Sequence, residues 1–432
     1  MKIVFIEPRS TRSNVYSKIP MPLLGPVYLG TILRNRGHQV TVYKEDIFTP
    51  DYSKLDADLI GISILTSTAK RGYQIARKFP REKVIIGGVH ASLLPAEASR
   101  FARQVVIGEA EEIIVDIVEG RNKEEIIHGR PVEDLDALPQ PDFSLIKGFK
   151  TSIMTTPIST SRGCPFDCSF CSVTKMFGRK YRFRSAENVM KELTSLKANS
   201  FFFCDDNFTA HPKRTHKLLG LMLKKRIRSW ACQVRCDAAR DNDLLGLMAK
   251  TGCKVVCVGF ESINEKTLKA YDKKQTIDEI IHAIRSFHKK KIKVHGMFVL
   301  GGDDDNAKTV WDTFKFAIKQ KIDTIQMSIL TPFPGTKVHE DLKNQKRIFS
   351  TDWDLYDGQH IVFSPKLLSA RDLQLNVLNA YVKFYSLSSS FILLLKLHFR
   401  NALFRLMGHS IIRSWKQRNH KMSWILQPPR AS

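Results

Sequence analysis

Short apolar runs alternate with helical patterns over roughly the first 120 residues. The runs predict five strands, with the sequences KIVFIEP, HQVTVYKED, ADLIGISIL, KVIIGGVHAS and QVVIGEAEE. Between the first two, GPVYLGTILRNRG predicts a helix that ends at Gly37, because glycine readily adopts the left-handed conformation after a helix. This alternation indicates an α/β domain with a doubly wound, flavodoxin-like parallel sheet, placed at residues 1–125.

Small and polar residues collect where these predicted strands end. Ligands of doubly wound folds bind at the carboxyl ends of the strands. The ligand-binding candidates are therefore Ser63, Thr66, Ser67, Gly87, Gly88, His90, Gly108 and Glu109.

A second alternating series follows a linker predicted at residues 126–150, which contains Pro131, Pro139 and Pro141. Its strands have the sequences TPISTS, SFFFCDD, SWACQVRCD, KVVCVGFES, KVHGMFVLGG and DTIQMSILTPF. Six such repeats predict a partial (β/α)6 barrel at residues 151–345, with its active site at the C-terminal ends of the strands. Residues 346–432 predict a helical, basic extension.

Composition adds constraints on compartment and partners. The net charge is +25, and residues 373–432 hold nine Lys and Arg but no Asp or Glu. This balance favours anionic partners, so the extension is expected to cap the barrel, to lie on an anionic membrane surface, or both. No apolar run approaches the roughly 20 residues of a membrane span. Eight cysteines within residues 164–257 differ from a secreted disulfide framework, and we expect a cytoplasmic protein.

Three cysteines form the most informative motif, in the stretch SRGCPFDCSFCSV. Cys164, Cys168 and Cys171 have the spacing C-x3-C-x2-C and follow the first barrel strand. Three thiolates can hold three irons of a [4Fe–4S] cluster while the fourth iron stays open. An open iron can chelate an amino acid through its amine and carboxylate. The alternative is a zinc site with Cys204 as its fourth ligand.

This loop resembles that of the radical S-adenosylmethionine (SAM) enzymes, in the subgroup with an N-terminal cobalamin (vitamin B12)-binding domain. The resemblance covers nearly all of residues 1–345. It implies that an electron from the cluster cleaves SAM to a 5′-deoxyadenosyl radical, which abstracts hydrogen from an unactivated carbon. It also implies SAM-binding residues at the motifs F-C-S, FFFCDDNF, VRCD and GFES: Phe170, Asp205, Asp206, Asn207, Arg235, Asp237 and Glu261. The run LGGDDDNAKT departs from the family's G-x-P-G-E-T.

The same resemblance implies cobalamin at the first domain. Glycines allow the backbone to approach a flat macrocycle closely, and hydroxyls can bond its polar substituents. The residues concerned are Gly25, Ser63, Thr66, Gly87, Gly88, His90, Gly108 and Glu109. The motif D-x-H-x-x-G is missing, so we expect no axial histidine, and His90 is interpreted as a loop-end residue. The alternative is a degenerate domain that only docks on the barrel.

Cys204 and Asp205 are the catalytic candidates, because they lie together at the end of the second barrel strand. Cys232, Cys236, Cys253 and Cys257 are interpreted as core residues, since each pair shares one face of a strand.

Three functions fit these observations. The first is a cobalamin-dependent radical methyltransferase acting on a hydrophobic, lipid- or tetrapyrrole-like metabolite. The second is a radical SAM cyclase, carbon–carbon coupling enzyme or oxidoreductase, with cobalamin accessory or absent. The third is a non-enzymatic binding module, which only the basic charge supports. The expected partners are a hydrophobic substrate, an electron donor such as flavodoxin or ferredoxin, and an anionic membrane surface on the cytoplasmic side. Nucleic acid is not expected.

Overall fold

The computed structural model describes residues 1–12, 20–225, 227, 229–395 and 399–419. These residues form two compact units. The first unit holds residues 1–11, 20–165 and 172–230, and the second holds residues 12, 166–171 and 231–419. The division therefore differs from the predicted domains, because the first unit joins the N-terminal domain, the predicted linker and the start of the barrel.

The first unit begins with a six-stranded sheet in the order β2-β1-β3-β4-β5-β6, whose registered strand pairs are parallel. Its strands are β1 (Lys2–Glu7), β2 (Gln39–Lys44), β3 (Leu59–Ser63), β4 (Val84–Gly87), β5 (Gln104–Ile107) and β6 (Ile126–His128). The intervening helices are α1 (Leu24–Asn35), α2 (Ala69–Ala76), α3 (Val89–Leu93), α4 (Pro95–Ala98) and α5 (Ile114–Val118). The predicted doubly wound architecture is confirmed.

Two parts of this domain, the end of α1 and the last strand of the sheet, compare differently with their predictions. Helix α1 ends as predicted, since Gly37 has a φ of 88° and its N–H bonds to Arg34 O at 2.9 Å, while His38 N bonds to Leu33 O at 3.2 Å. The prediction that the linker begins at residue 126 is wrong. Strand β6 occupies that position and pairs with β5 from Val105 to Ile107. Three residues are too few for periodicity to reveal a strand.

The six predicted barrel strands are present. They are β7 (Thr156–Ile158), β10 (Phe201–Phe203), β11 (Trp230–Val234), β12 (Cys253–Glu261), β13 (Lys293–Leu300) and β14 (Thr324–Ile329), in the order β14-β13-β12-β11-β10-β7. The boundary between the units falls inside β11, after Trp230. The associated helices are α6 (Val173–Phe177), α7 (Ala186–Ser195), α8 (Pro212–Leu223), α9 (Asn242–Lys250), α10 (Glu265–Ala270), α11 (Ile277–Lys289), α12 (Ala307–Lys319) and α13 (Lys337–Asn344).

A short antiparallel hairpin, which the sequence analysis did not predict, encloses the cysteine loop. It consists of β8 (Ser161–Arg162) and β9 (Arg182–Phe183), with Ser161 opposite Phe183 and Arg162 opposite Arg182. Its strands have two residues each, which is too short for an alternation of apolar and polar residues to reveal them.

The C-terminal extension is helical, as predicted, with α14 (Ala370–Phe384), α15 (Leu387–Leu395) and α16 (Phe399–Arg418). Helix α14 packs on β14: the Tyr381 hydroxyl accepts a hydrogen bond from Met327 N at 2.6 Å, and the Tyr385 hydroxyl, just after α14, accepts one from Ile325 N at 2.9 Å. This part of the extension covers β14, the edge strand of the sheet.

One stretch of the described residues, Ala370–Leu395, is long and apolar enough to cross a membrane by length and composition. From the sequence alone, no membrane span is expected. The stretch is broken between α14 and α15, and α14 buries Leu373, Val377 and Phe384 among protein atoms. Its apolar character is therefore explained, for α14, by packing in the core of the second unit.

Candidate functional site

The cysteine loop starts at a position that requires glycine. Gly163 has a φ of +84°, and a side-chain carbon there would lie 2.4 Å from the carbonyl oxygen of Lys180. The two ends of the loop therefore approach each other too closely for any other residue. Cys164 follows directly in the first unit and is partly exposed.

Cys168 and Cys171 lie in the second unit, and backbone contacts order the segment that carries them. Cys171 N donates to Cys168 O at 3.0 Å, while Ser169 N donates to Tyr271 O at 3.2 Å. All three motif cysteines are partly exposed. Within the described residues, no three His, Cys, Asp or Glu side chains are placed to hold a single metal ion. The set of three thiols in one loop fits a [4Fe–4S] cluster, in which each thiolate binds a different iron.

Buried cations lie beside Cys168. Burial raises the pKa of this thiol, while the positive charges of Lys273 and Arg235 oppose that shift. The Lys273 ammonium is buried and lies 2.7 Å from Glu261 Oε1. Burial lowers the pKa of Lys273, but the charge of Glu261 outweighs it and the net shift is upward, so Lys273 stays cationic. These cations would stabilise an anionic cluster ligand.

Lys273 is a site residue that the sequence analysis missed. It lies in the charged run YDKKQ between two helices, which looks like an ordinary solvated loop. Only its position next to Cys168 and Glu261 shows that it is buried.

The second unit also brings together most of the SAM-binding candidates assigned to it. The Arg235 guanidinium lies 3.7 Å from the Phe166 ring centre and donates to Lys273 O at 2.5 Å. Glu261 has a positive φ of 60° at an irregularity at the end of β12. The Phe170 ring lies 5.1 Å from that of Tyr271. Asp237 differs from these residues, since its side chain is 42% exposed and 3.9 Å from Arg235.

Asp205 is buried and bonded to neighbouring residues, so it does not lie open to a ligand. This carboxylate is buried and accepts hydrogen bonds from Thr160 N at 2.6 Å, from Ser161 N at 2.9 Å and from the Thr160 hydroxyl. It therefore braces the turn between β7 and β8, so its geometry does not support the predicted catalytic role. Asn207 is also buried, and its side-chain oxygen accepts a hydrogen bond from the Thr209 hydroxyl at 3.2 Å.

A cavity of about 380 Å³ lies inside the first unit, between the carboxyl ends of the first sheet and the strands β7 and β10. Six of the predicted cobalamin-binding residues line it, together with two candidates from the FFFCDDNF motif: Gly25, Ser63, Gly87, Gly88, Gly108, Glu109, Cys204 and Asp206. The rest of the lining is mainly apolar and includes Phe5, Leu23, Leu65, Met176 and Phe177.

Two predicted cobalamin-binding residues lie outside this lining. Thr66 is buried in the short turn that precedes α2. His90 is fully buried, and its Nε2 lies 3.3 Å from Glu97 Oε1. Both side chains are packed into the domain, and neither is among the residues that line the cavity.

Two glycines of the cavity lining suit their positions for different physical reasons. Gly88 has a φ of +95°, and a side-chain carbon there would lie 2.7 Å from Ile64 O, so the backbone itself requires glycine. Gly25 lies in the first turn of α1, and nothing lies within 4 Å of the place where its side-chain carbon would be. Gly25 thus opens space in the cavity. A mainly apolar cavity with glycine on one wall fits a flat macrocycle such as the corrin ring.

Glu109 is paired within the protein, although the sequence predicted a contact with cofactor. Its carboxylate accepts hydrogen bonds from Arg162 at 2.5 Å, from Arg182 at 3.0 Å and from Val132 N at 3.1 Å. Burial raises its pKa, but the two guanidinium groups lower it more, so the net shift is downward. Arg162 also donates to Glu111 at 2.6 Å. This buried network connects β5 of the first sheet to both strands of the hairpin around the cysteine loop.

Glu109→Ala is expected to lower the free energy of unfolding of the protein by about 3–5 kcal/mol, because it removes the carboxylate that pairs with the buried Arg182 and one of the two that pair with Arg162. The side chains of Glu109 and Arg182 are less than 5% exposed, and that of Arg162 is 10% exposed. Denaturant unfolding measures the loss. Asp116→Ala is the matched control, because it breaks an exposed pair with Arg121 and should cost at most about 1 kcal/mol. Equal losses in the two variants would contradict the prediction.

Cys204 and Asp206 line the cavity, and the pKa values of both side chains are raised. Burial and the nearby charges of Asp205 and Asp206 raise the pKa of the Cys204 thiol, and this thiol donates a hydrogen bond to Ile158 O at 3.3 Å. Burial and the charge of Asp205 raise the pKa of Asp206 to about 7. Cys204 is thus a neutral thiol at neutral pH, and Asp206 is a carboxyl that holds a proton up to about pH 7.

Asp206→Asn is expected to stabilise the protein more at pH 8 than at pH 5. The folded state binds a proton at Asp206 that the unfolded state loses near pH 4, so the free energy of unfolding of the wild type falls as the pH rises to about 7. The Asp206 side chain is nevertheless exposed to solvent at the cavity, so the slope stays well below the roughly 1.4 kcal/mol per pH unit of a sequestered group. Melting temperatures of both proteins at the two pH values measure the effect. A stability difference that is the same at pH 5 and pH 8 would refute the raised pKa.

Comparisons with known proteins agree with this geometry. Residues 158–317 match the model of the Radical SAM superfamily. The chain is 31% identical to the bacteriochlorophyllide d C-12(1)-methyltransferase of Chlorobaculum tepidum, over 89% of this chain and 87% of that protein. It is 24% identical to the anaerobic magnesium-protoporphyrin IX monomethyl ester cyclase of Cereibacter sphaeroides, over 89% of this chain and 70% of that protein.

A solved structure shares the fold. It is that of the cobalamin-dependent S-adenosylmethionine radical enzyme OxsB with aqua-cobalamin and S-adenosylmethionine bound. The similarity has a TM-score of 0.72 and covers 98% of this chain and 75% of that one, at 14% identity. At 14% identity, this similarity shows only that the two chains share an arrangement of helices and strands.

Proposed function

Because this chain belongs to the radical SAM methyltransferases, we propose that it uses cobalamin and methylates an unactivated carbon of a tetrapyrrole. The observation that carries the substrate class is the relative from Chlorobaculum tepidum, which acts on bacteriochlorophyllide d and is similar over most of both chains. The cyclase relative acts on a second compound of the same chemical class.

Each cofactor has residues that suit it. Cys164, Cys168 and Cys171 would hold the [4Fe–4S] cluster, and Gly25, Ser63, Gly87 and Gly108 would lie against cobalamin. When bound, these groups supply the electron that cleaves SAM and the methyl group that is transferred. The buried cations Lys273 and Arg235 would hold negative charge next to Cys168. Glu261, which pairs with Lys273, and Arg235, which donates to the Lys273 carbonyl oxygen, would orient the polar end of SAM.

Asp206 and Cys204 would act on the ligand in the cavity and not on the cluster. Asp206 would keep its proton below about pH 7 and present a hydrogen-bond donor to the ligand. The Cys204 thiol would stay neutral and add no charge to the apolar wall. Asp205 would position both by fixing the turn between β7 and β8.

The test is anaerobic turnover with SAM whose methyl group carries deuterium, a low-potential reductant and hydroxocobalamin. Bacteriochlorophyllide d, magnesium-protoporphyrin IX monomethyl ester and a hopanoid are supplied separately. We expect a tetrapyrrole product in which one hydrogen is replaced by a CD3 group, together with 5′-deoxyadenosine. Deoxyadenosine with an unlabelled, cyclised product would favour the cyclase, which the relative from Cereibacter sphaeroides supports. A labelled hopanoid with unlabelled tetrapyrroles would overturn the proposed substrate class.

We also place the enzyme in the cytoplasm, at the inner face of an anionic membrane, with flavodoxin or ferredoxin as its electron donor. The support for the membrane is the residue balance of the extension, which has nine basic residues and no acidic residue from position 373 onwards.

A further inference from the structure

Large apolar side chains are exposed together on the last two helices. Among the described residues, seventeen large hydrophobic side chains are exposed, and nine of them lie between residues 387 and 407. We call these nine residues the apolar tip: Leu387, Phe391, Ile392, Leu394, Leu395, Phe399, Leu403, Leu406 and Met407. Single exposed hydrophobic residues are normal, but a cluster of this size indicates a contact surface.

Helices α15 and α16 form an antiparallel pair. Arg405 of α16 bonds to Ser389 of α15 at 3.2 Å, and His409 bonds to the carbonyl oxygen of Tyr385 at 3.0 Å. Later residues of α16 thus contact earlier residues of α15. The C-terminal end of α15 and the N-terminal end of α16 therefore lie at the same end of the pair, where Leu395 is 68% and Phe399 is 61% exposed.

The exposed face of α16 changes character along its axis. Phe399, Leu403 and Met407 follow one another at intervals of four residues, which places them on one stripe of the helix. Beyond Met407 the helix carries the exposed Ser410 and then three exposed basic residues, Arg413, Lys416 and Arg418, which point to different sides of its axis. The apolar part from Phe399 to Met407 is about 12 Å long, and Arg413 lies about 9 Å beyond it.

These lengths suit the interface of a bilayer. The apolar part is close to the roughly 5–10 Å to which interfacial helices penetrate, and it is far shorter than the roughly 30 Å hydrocarbon core. Basic side chains about two to three turns further along the helix would then reach the level of lipid phosphates.

Not every base of the extension is available to lipid. Arg405 is buried, its guanidinium stacks on the Phe384 ring at 3.2 Å, and burial lowers its pKa to about 10. Because some of the charge is internal, apolar insertion has to supply a large part of any membrane affinity.

We propose that the apolar tip inserts into one leaflet of an anionic membrane, while Arg413, Lys416 and Arg418 contact its phosphates. A bilayer is favoured over a protein partner because the surface combines a protruding apolar end with a basic segment and has no acidic residue from position 373 onwards. This proposal deepens the membrane contact proposed above and does not depend on methyl transfer. Vesicle binding and deoxyadenosine formation can therefore fail separately.

The test measures co-flotation of the full chain with phosphatidylcholine vesicles, with and without phosphatidylglycerol. Phe391→Ser, Phe399→Ser and Leu403→Ser are combined as the tip variant. We expect its vesicle partition coefficient to fall at least tenfold on both lipid compositions, because three exposed apolar side chains are removed from the bilayer. Arg413→Gln, Lys416→Gln and Arg418→Gln together should remove the preference for phosphatidylglycerol and its salt dependence.

The control variant combines Ile153→Ser and Ile318→Ser, two exposed apolar residues outside the tip, and should bind vesicles like the wild type. Equal partitioning of wild type and tip variant would overturn the proposal. So would a wild type that stays off vesicles but changes from dimer to monomer in the tip variant, which would assign the tip to a second copy. Vesicle binding only after truncation at residue 419 would assign the tip to residues 420–432.

Discussion

Replacing Cys164, Cys168 and Cys171 together with alanine is expected to reduce the iron bound after anaerobic reconstitution from about four atoms per chain to background. The reason is that each thiolate holds a separate iron, and alanine offers no ligand. Formation of 5′-deoxyadenosine from SAM should be lost with the cluster. Iron and sulfide analysis, together with chromatography of the nucleoside, measures both effects.

Cys257→Ala is the control for this variant. Cys257 is a free cysteine of β12, outside the motif, so the iron content of its variant should equal that of the wild type. A triple variant that keeps about four irons per chain would show that other residues hold the cluster. A site with one zinc and no iron or sulfide would favour the zinc alternative.

Gly25→Phe is expected to weaken hydroxocobalamin binding at least a hundredfold while the protein stays folded. A phenyl ring at this position would occupy part of the cavity of about 380 Å³, and no protein atom lies within 4 Å of the site of its first carbon. The loss is measured by equilibrium dialysis with the visible spectrum of the bound cofactor. Circular dichroism and the melting temperature show whether the fold is kept.

Gly220→Phe is the matched control, because Gly220 is also a helical glycine with nothing within 4 Å of the added carbon, and it lies outside the cavity lining. This variant should bind hydroxocobalamin like the wild type. Unchanged binding by Gly25→Phe would place cobalamin elsewhere. Absence of binding in the wild type, with turnover retained, would make the first domain a docking module.

The sequence was sufficient for the strands that are long enough to show a period. The parallel sheet and the six barrel strands follow from apolar runs, and the end of α1 at Gly37 follows from one glycine. The three residues of β6 and the two-residue strands of the hairpin carry no period, so pairing with distant strands decides their conformation.

The site was predictable only where local motifs define it. The cysteine spacing and the glycines at the strand ends are local, and most of those glycines line the cavity. The direction in which a side chain points is decided by distant partners. Asp205 is held by Thr160 and Ser161, some 45 residues away, and Glu109 by Arg162 and Arg182, 53 and 73 residues away. A motif read in isolation cannot show such pairings.

The network around Glu109 means that the N-terminal domain is not an independent module, because its buried carboxylate is paired with arginines of the barrel segment. A fragment that stops at the predicted linker would contain the buried carboxylate but neither of its arginines, because Arg162 and Arg182 belong to the barrel segment. Such a fragment would fold around an uncompensated charge. In a chimera that exchanges this domain with that of a relative, the graft would have to extend through β9 to carry its counter-ions along.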